Sequence, residues 1–516
     1  MNGFPPTFFI AIAILLTLSA CSNPKPLYRL DKLPLIPLPL SLENSEEVLE
    51  ISSIHSIRME GSDSNLSSMA QDLKIFWKKQ TQQELLIQEG STEKDRSISL
   101  EIKEDSSVKM GAYKLLIESH EIRIQAKTSE GIFRGIKTLE QIILLSNLHS
   151  KTTLLALAGG VIVDEPQYEY RGAMLDVARH FFSVETVKRY IDLLSSYKIN
   201  FLHFHLSDDQ GWRIEIKSWP KLTEIGGQTQ VGGGEGGFYS QEDYQEIVKY
   251  ASDRYITIVP EIDLPGHTNA ALASYAELNC DGKATALYSG IEVGFSSLCV
   301  DKEITYEFVE DVIREISALS PGPYFHIGGD ESLVTPQEDF NRFMDRTLAI
   351  VKKYNKIPMG WYELIGADIP EETLLQFWAK SEDFSKIIPK KSKLLISAAS
   401  YTYLDMKYDS ITPLGLHWAG YLPVKKAYDW DPQTLVPDLD SHQIIGLEAP
   451  LWTETIEDFD DIAYMAFPRI IGHAELGWTD ASLRQWEDYA NRLSFHGRLL
   501  EALDVKYYAS DEIDWK

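Results

Sequence analysis

Tyr324-Phe325-His326-Ile327-Gly328-Gly329-Asp330-Glu331 is the stretch from which the rest of the chain is read. Tyr, Phe and Ile favour a strand. Two glycines then break it, where a side chain would obstruct a neighbouring backbone or a ligand. Two carboxylates follow, and acids at the end of an apolar strand are costly to bury without a partner or a task. A helix start is the structural alternative, because Asp and Glu suit a first helical turn. On an extended backbone, adjacent side chains point to opposite sides. Read that way, Asp330 and Glu331 do different jobs.

Outward from this stretch, apolar strand-like runs recur at 171–177, 201–206, 256–262, 324–328, 358–361, 374–378, 394–398 and 444–447. Helical spacing separates the first five at 184–197, 241–254, 304–317 and 340–354. Eight buried strands alternating with helices predict an α/β fold, a parallel (β/α)8 TIM barrel. The fifth to seventh helices are weak and are expected to be short or replaced by loops. Residues 491–503 read as a final helix. Ahead of the barrel, residues 66–79 place Leu66, Met69, Leu73 and Trp77 on one helical face. Residues 97–102 alternate as a strand, 113–117 and 121–126 read as a hairpin, and 132–145 return to helical period. The expected order is a signal segment (1–21), a Pro-rich linker (22–34), a small α+β domain (35–165) and the barrel with its C-terminal helix (166–516).

The 516 residues are 44% apolar, enough for a sizeable core, and carry a net charge of −28. That charge argues against nucleic acid as a partner, because phosphate binding needs a cationic surface. The apolar run 8–18 fits a signal segment and is too short to span a bilayer. It ends in Leu18-Ser19-Ala20-Cys21, which resembles the lipobox of bacterial lipoproteins, although residues 1–7 lack the usual Lys or Arg. The expectation is an exported protein lipidated at Cys21 and held on a membrane, on its periplasmic or cell-surface face. An ordinary secretory signal is the alternative. In an oxidising compartment Cys280 and Cys299 are expected to form a disulfide, worth roughly 3 kcal/mol for a loop of that length. Two buried thiols are the alternative.

Polar or aromatic clusters end every strand: Asp176 and Arg179; Asp208 and Asp209; Glu261, Asp263 and His267; Asp330 and Glu331; Trp361 and Glu363; Trp378; Tyr403 and Asp405; Trp452 and Glu454. Barrels place catalysis at the C-terminal ends of their strands. Any one cluster reads as a structural ion pair, but eight in succession point to a site. Indole faces cover the apolar face of a sugar ring and carboxylates accept from its hydroxyls, so the mixture fits a sugar pocket. His203 and His205 share a strand face, as metal ligands would, yet the nearby acids serve equally as hydrogen-bond partners. No metal or cofactor is expected. The glycine-rich segment 226–237 lacks a following Lys-Ser/Thr and reads as a mobile loop rather than a phosphate cradle. Trp418 and Trp430 are rim contacts or local packing.

With these residues in view, the chain resembles the family 20 glycoside hydrolases, the β-N-acetylhexosaminidases. The resemblance rests on Arg171-Gly172 with Asp176-Val177-Ala178-Arg179-His180-Phe181, on His203-Phe204-His205-Leu206-Ser207-Asp208-Asp209-Gln210-Gly211-Trp212-Arg213, and on Pro260-Glu261-Ile262-Asp263-Leu264-Pro265-Gly266-His267. His326-Ile327-Gly328-Gly329-Asp330-Glu331, Gly360-Trp361, Tyr403-Leu404-Asp405 and Glu448-Ala449-Pro450-Leu451-Trp452-Thr453-Glu454 extend it. It implies exo-acting removal of terminal N-acetylglucosamine or N-acetylgalactosamine from a glycan, by retention, through an oxazoline formed by the substrate's own acetamido group. It implies that Asp330 holds that group and that Glu331 is the acid and base. Arg171 is implied as a ligand of the ring hydroxyls, and Asp208 with His267 as the support of the acid. Trp361, Trp378 and Trp452 are implied as pocket walls, Tyr403 as the partner of the acetamido oxygen, and Asp405 and Glu454 as contacts to sugar hydroxyls. Trp418 is implied at the wall or rim. The resemblance also implies a Cys280–Cys299 bridge. A non-catalytic glycan-binding protein and a metallohydrolase using His203, His205 and Asp330 are the competing readings.

Overall fold

Two packed units make up the protein in a computed structural model, which describes residues 26, 29–90, 96–103, 109–148, 156–379, 392–435 and 439–516. Cys21 and the apolar run before it lie outside the described residues. Among those that are described, no helix is long and apolar enough to cross a membrane.

The first unit is a seven-stranded mixed sheet of β1 (Ser41–Glu50), β2 (Ser56–Glu60), β3 (Leu86–Glu89), β4 (Ser97–Ile102), β5 (Tyr113–Ile117), β6 (Glu121–Ala126) and β7 (Ala156–Asp164), in the order β1-β7-β5-β6-β4-β2-β3. Helices Asn65–Thr81 and Ser129–Leu148 bury the expected Leu66, Met69, Leu73 and Trp77 together with Ile132, Leu139, Ile142 and Ile143. The expected hairpin is present, with Leu115 opposite Ile124 in an antiparallel pair.

The second unit is a closed parallel barrel of β8 (Tyr170–Asp176), β9 (Phe201–His205), β10 (Thr257–Glu261), β11 (Tyr324–His326), β12 (Ile357–Trp361), β13 (Leu374–Phe377), β14 (Lys393–Ile396) and β15 (Ile444–Leu451). All eight expected strands are there. The four clear helices are Val184–Ser196, Gln241–Ser252, Glu303–Leu319 and Gln337–Lys353. After β12 a short 3₁₀ segment, Tyr362–Gly366, replaces a full helix. Two helices, Phe459–Ala466 and Arg469–Trp478, follow β15, and Trp486–Ala502 is the final one.

Polarity changes up the barrel axis. Tyr170, Val259, Met359, Leu374 and Leu395 fill the bottom with apolar bulk. Above them lies a buried ionic layer. His203 Nδ1 is 2.9 Å and its Nε2 3.0 Å from Glu448 and Glu261 respectively. Gln376 donates to Glu448 (2.7 Å), and His326 Nδ1 lies 2.8 Å from Glu261. The layer carries both charges, so each carboxylate has a partner in a place where an unpaired one would be expensive.

The two units join at the bottom of the barrel. Lys198 binds Asp164 (2.8 Å), Trp478 donates to the same carboxylate (2.9 Å), and Arg134 donates to the carbonyls of Ile199 and Tyr255.

Candidate active site

β11 ends at His326, and the acids lie in the turn beyond it. Gly328 and Gly329 have φ of +64° and +104°, and Glu331 itself +45°. A Cβ on Gly328 would sit 1.8 Å from Asp263 Oδ1, so the glycine is where a neighbouring side chain comes in. Gly329 N–H donates to that same oxygen (2.9 Å). The backbone is thus not extended here. Asp330 and Glu331 part company because the turn twists through left-handed conformations, not because a strand alternates. Nor do they start a helix, which begins six residues later at Gln337.

The two carboxyls have unlike surroundings. Asp330 is buried and hydrogen-bonded to Asp263. Burial, then the Asp330 charge, pushes Asp263 well above the usual carboxylate range. Burial raises Asp330 as well, but the His267 charge and the hydrogen bond from Asp263 oppose it, so Asp263 holds the proton of the pair more tightly than Asp330 does. Glu331 has a side chain 36% exposed, with Oε2 3.6 Å from His267 Nε2. His267 Nδ1 lies 3.0 Å from Asp208 Oδ1. Burial opposes the imidazolium, but the Asp208 charge and hydrogen bond, joined by the Asp330 charge, outweigh it and hold His267 well above an ordinary histidine. Asp208 is in turn held low despite burial by Arg179, His267 and His205.

A cavity of about 430 Å³ opens in front of the acids. Arg179, Asp330, Glu331, Trp378, Tyr403, Asp405, Trp418, Trp452 and Glu454 line it, joined by Ile291, Val293 and Leu416. Indoles form the walls. Trp378 and Trp418 meet edge to face at 6.0 Å, Tyr403 lies 6.3 Å from Trp452, and Trp418 stands 57% exposed at the mouth. Trp378 N–H donates to both oxygens of Glu363 (3.1 and 3.2 Å). Burial and the Asp330 charge push Glu363 up to about 8. Both oxygens of Asp405 are buried without a hydrogen-bond partner, and burial beside Glu454 pushes its carboxyl well up. Orphaned acceptors aimed into a cavity await donors such as sugar hydroxyls.

Arg171 is not in this pocket. It is the second residue of β8, at the bottom of the barrel, where its guanidinium donates to the carbonyls of Lys198 (2.9 Å) and Tyr168 (2.8 Å) and stacks 4.9 Å over Trp478. At roughly 3.3 Å per strand residue, the length of β8 separates it from the ligand end. The pocket arginine is Arg179, paired with Asp176 (3.3 Å) and Asp208 (2.9 Å) and stacked 4.9 Å over Trp452. Its place just past a strand end is the signal that identifies it. Trp361 also sits back from the cavity, 1% exposed, its ring 6.0 Å from Trp452 and its N–H donating to Glu261 (3.1 Å). It backs the wall rather than forming it.

His203 and His205 face Glu448, Glu261 and Asp208, not Asp330. His203, Glu261 and His326 bring ligand-type atoms within 4.8 Å of one another, as do Asp263, His267 and Asp330; the first set is the ionic layer and the second carries the acid pair. Segment 226–237 is fastened, not loose: the buried Arg213 guanidinium donates to the carbonyls of Gly227, Gly237 and Thr229. Trp430 packs on Tyr401 at 5.2 Å, away from the cavity. Cys280 and Cys299 form the expected disulfide.

A TIM barrel with a ring-sized, indole-walled pocket and two unequal carboxyls at its centre defines a sugar-cleaving barrel enzyme. Comparison with known proteins agrees. The glycosyl hydrolase family 20 catalytic domain matches residues 168–481, and domain 2 of the same family matches residues 32–165. A β-N-acetylhexosaminidase of Cellulomonas fimi is 40% identical over 422 residues, 81% of this chain and 84% of that protein. The solved family 20 β-N-acetylhexosaminidase of Streptomyces coelicolor A3(2) is 45% identical, covering 94% of this chain and 99% of that one, with a TM-score of 0.89. A Streptomyces plicatus N-acetyl-β-hexosaminidase, solved in complex with Thio-NAglucal, is 44% identical, covering 96% and 100%, with a TM-score of 0.91. The chain belongs to glycosyl hydrolase family 20. Its activity is that of a retaining, exo-acting β-N-acetylhexosaminidase assisted by the substrate's own acetamido group, a mechanism established for the family as a class.

Proposed function

We propose that Asp330 and Glu331 divide the work of cleaving a terminal N-acetylhexosamine. The observation that carries this is their unequal setting: Asp330 is buried against Asp263, while Glu331 is partly exposed and reaches into the pocket beside His267. The acetamido oxygen of the substrate attacks the anomeric carbon as the glycosidic oxygen leaves. Asp330 accepts from the acetamido N–H and stabilises the positive charge that develops. Glu331 acts as the acid that gives a proton to the leaving oxygen, and then as the base that takes one from the water that opens the oxazoline. His267, held by Asp208, positions Glu331. Tyr403 points the acetamido oxygen at the reacting carbon. Trp378 and Trp452 wall the ring, Trp418 stands at the rim, and Arg179, Asp405 and Glu454 take its hydroxyls.

Aryl N-acetylglucosaminides and N-acetylgalactosaminides test these roles. Asp330→Asn and Glu331→Gln are each expected to lower kcat by about 10²–10³ on substrates with poor leaving groups. A thiazoline that mimics the oxazoline should inhibit. Wild-type rates in both variants, or no inhibition, would count against the assignment.

The apolar run 8–18 and Cys21 support export and lipidation, and the Cys280–Cys299 bridge fits an oxidising compartment. Expressed in a lipoprotein-processing bacterium, Cys21→Ser should move the protein from the membrane to the soluble fraction. Unchanged membrane retention would remove the anchor.

A further inference from the structure

Asp209 is a buried acid to which the reaction gives no task. Its neighbour Asp208 grips the imidazole of His267, and Asp209 reaches the backbone that carries it. Asp209 Oδ1 accepts from the Asn269 N–H (2.9 Å) and from the Ser296 hydroxyl. The Ser296 oxygen in turn accepts from the Thr268 N–H (2.9 Å). One carboxylate oxygen and one hydroxyl thus take the first two amide groups after His267. Those amides follow a residue at φ +53°, a conformation unfavourable for a residue with a side chain and kept only where its surroundings fix it. Ser296 is itself anchored. It lies in the segment closed by the Cys280–Cys299 bridge, two residues before Leu298, whose N–H donates to the Pro265 carbonyl (3.0 Å). Gln210 holds the same segment at the Gly290 carbonyl (2.8 Å).

We propose that Ser296 is a positioning residue for the acid step: with Asp209 it fixes the backbone beyond His267, and through His267 it fixes the carboxyl of Glu331. The proposal rests on the reading that Glu331 protonates the leaving oxygen with His267 behind it. Asp208 holds the imidazole at Nδ1 alone, a single contact about which the ring can tilt. His267 Nε2 stands 3.6 Å from Glu331 Oε2, so a small tilt makes or breaks that contact. A hydroxyl suits the place because it donates to one group while accepting from another. Without it the buried Thr268 N–H has lost its acceptor, and the turn must shift to recover one.

Methyl and dinitrophenyl β-N-acetylglucosaminides separate positioning from folding. Only the methyl glycoside needs a proton to leave, and kcat/KM covers the steps up to that departure. Ser296→Ala is expected to lower kcat/KM about tenfold on the methyl glycoside and by less than about twofold on the dinitrophenyl one. Ser296 borders a cavity of about 400 Å³, which leaves room for one more methyl group. Ser296→Thr should therefore restore the wild-type ratio of the two rates, and Ser296→Val, similar in shape but without the hydroxyl, should not. An unchanged ratio in the Ala and Val variants, with or without a lowered Tm, would overturn the proposal, because Ser296 would then serve the fold alone. So would a Thr variant that behaves as Val does. Glu331→Gln is the control: equal losses on both substrates there would strike the reading of Glu331, and the role of Ser296 with it.

Discussion

Asp330 and Glu331 touch in sequence and answer to different neighbours, so their substitutions are expected to differ in kind. Arg179 and Arg171 give a second contrast. Arg179→Ala takes from Asp176 and Asp208 the buried guanidinium they share and removes a ligand of the sugar. A loss of about 10² or more in kcat/KM is expected in steady-state assays. Arg171→Ala strips the domain junction beneath the barrel, so calorimetry should record a lowered Tm while KM stays near wild type. The reverse pattern would contradict the reassignment. Both arginines were visible in one motif. What the motif does not convey is direction along the strand, and the rule that barrels bind ligands at strand C-termini favours the arginine past Asp176 over the one near Tyr170. Ile291 and Val293 could not be found this way, because they lie far from any strand end and reach the pocket only through a loop closed by a distant disulfide.

At the scale of the element, β11 was legible because its residues are strand formers, and the break was legible because two glycines sit together. The conformation of the break was not. Extended backbone was the natural reading, yet Gly328, Gly329 and Glu331 all adopt positive φ, a choice imposed by Asp263 from β10's far end. Gly328→Ala would press a methyl into the Asp263 carboxyl and force an unfavourable φ, so it should cost about 2 kcal/mol or more of stability. It should also lower kcat on every substrate, by displacing Asp330. Denaturant melts and kinetics on the same preparation check both. Segment 226–237 shows the same limit: its glycines suggest freedom, but Arg213, a buried cation that must satisfy its donors, ties them down.

Across the whole molecule, the eight-strand barrel and the domain ahead of it followed from periodicity, because burial on both faces makes parallel strands plainly apolar. The ionic layer inside the barrel did not, since its partners come from five different strands. It has a consequence for pH. His203 and His205 are raised to about 9 and about 10: burial opposes their charge, and it is overcome at His203 by the Glu448 and Glu261 carboxylates and at His205 by Glu261 and Asp208. Their stabilisation is complete below the unfolded value of 6.5 and is lost as pH rises through those values. Glu363, raised to about 8 chiefly by burial, adds a penalty that grows from its unfolded 4.5 upward. Both act in one direction, so Tm should fall steadily from about pH 6 to about pH 10. Glu363→Gln should flatten the first half of that fall, and a flat wild-type profile would contradict the charge states assigned to the layer.

The division of labour between the two acids is tested most directly by a series of aryl N-acetylglucosaminides spanning good and poor leaving groups. Glu331→Gln should spare dinitrophenyl substrates, which leave without a proton, and lose rate steeply as the leaving group becomes more basic. Asp330→Asn should lose rate across the whole series, because the acetamido nucleophile is mispositioned whatever departs. Parallel profiles in the two variants would contradict the account.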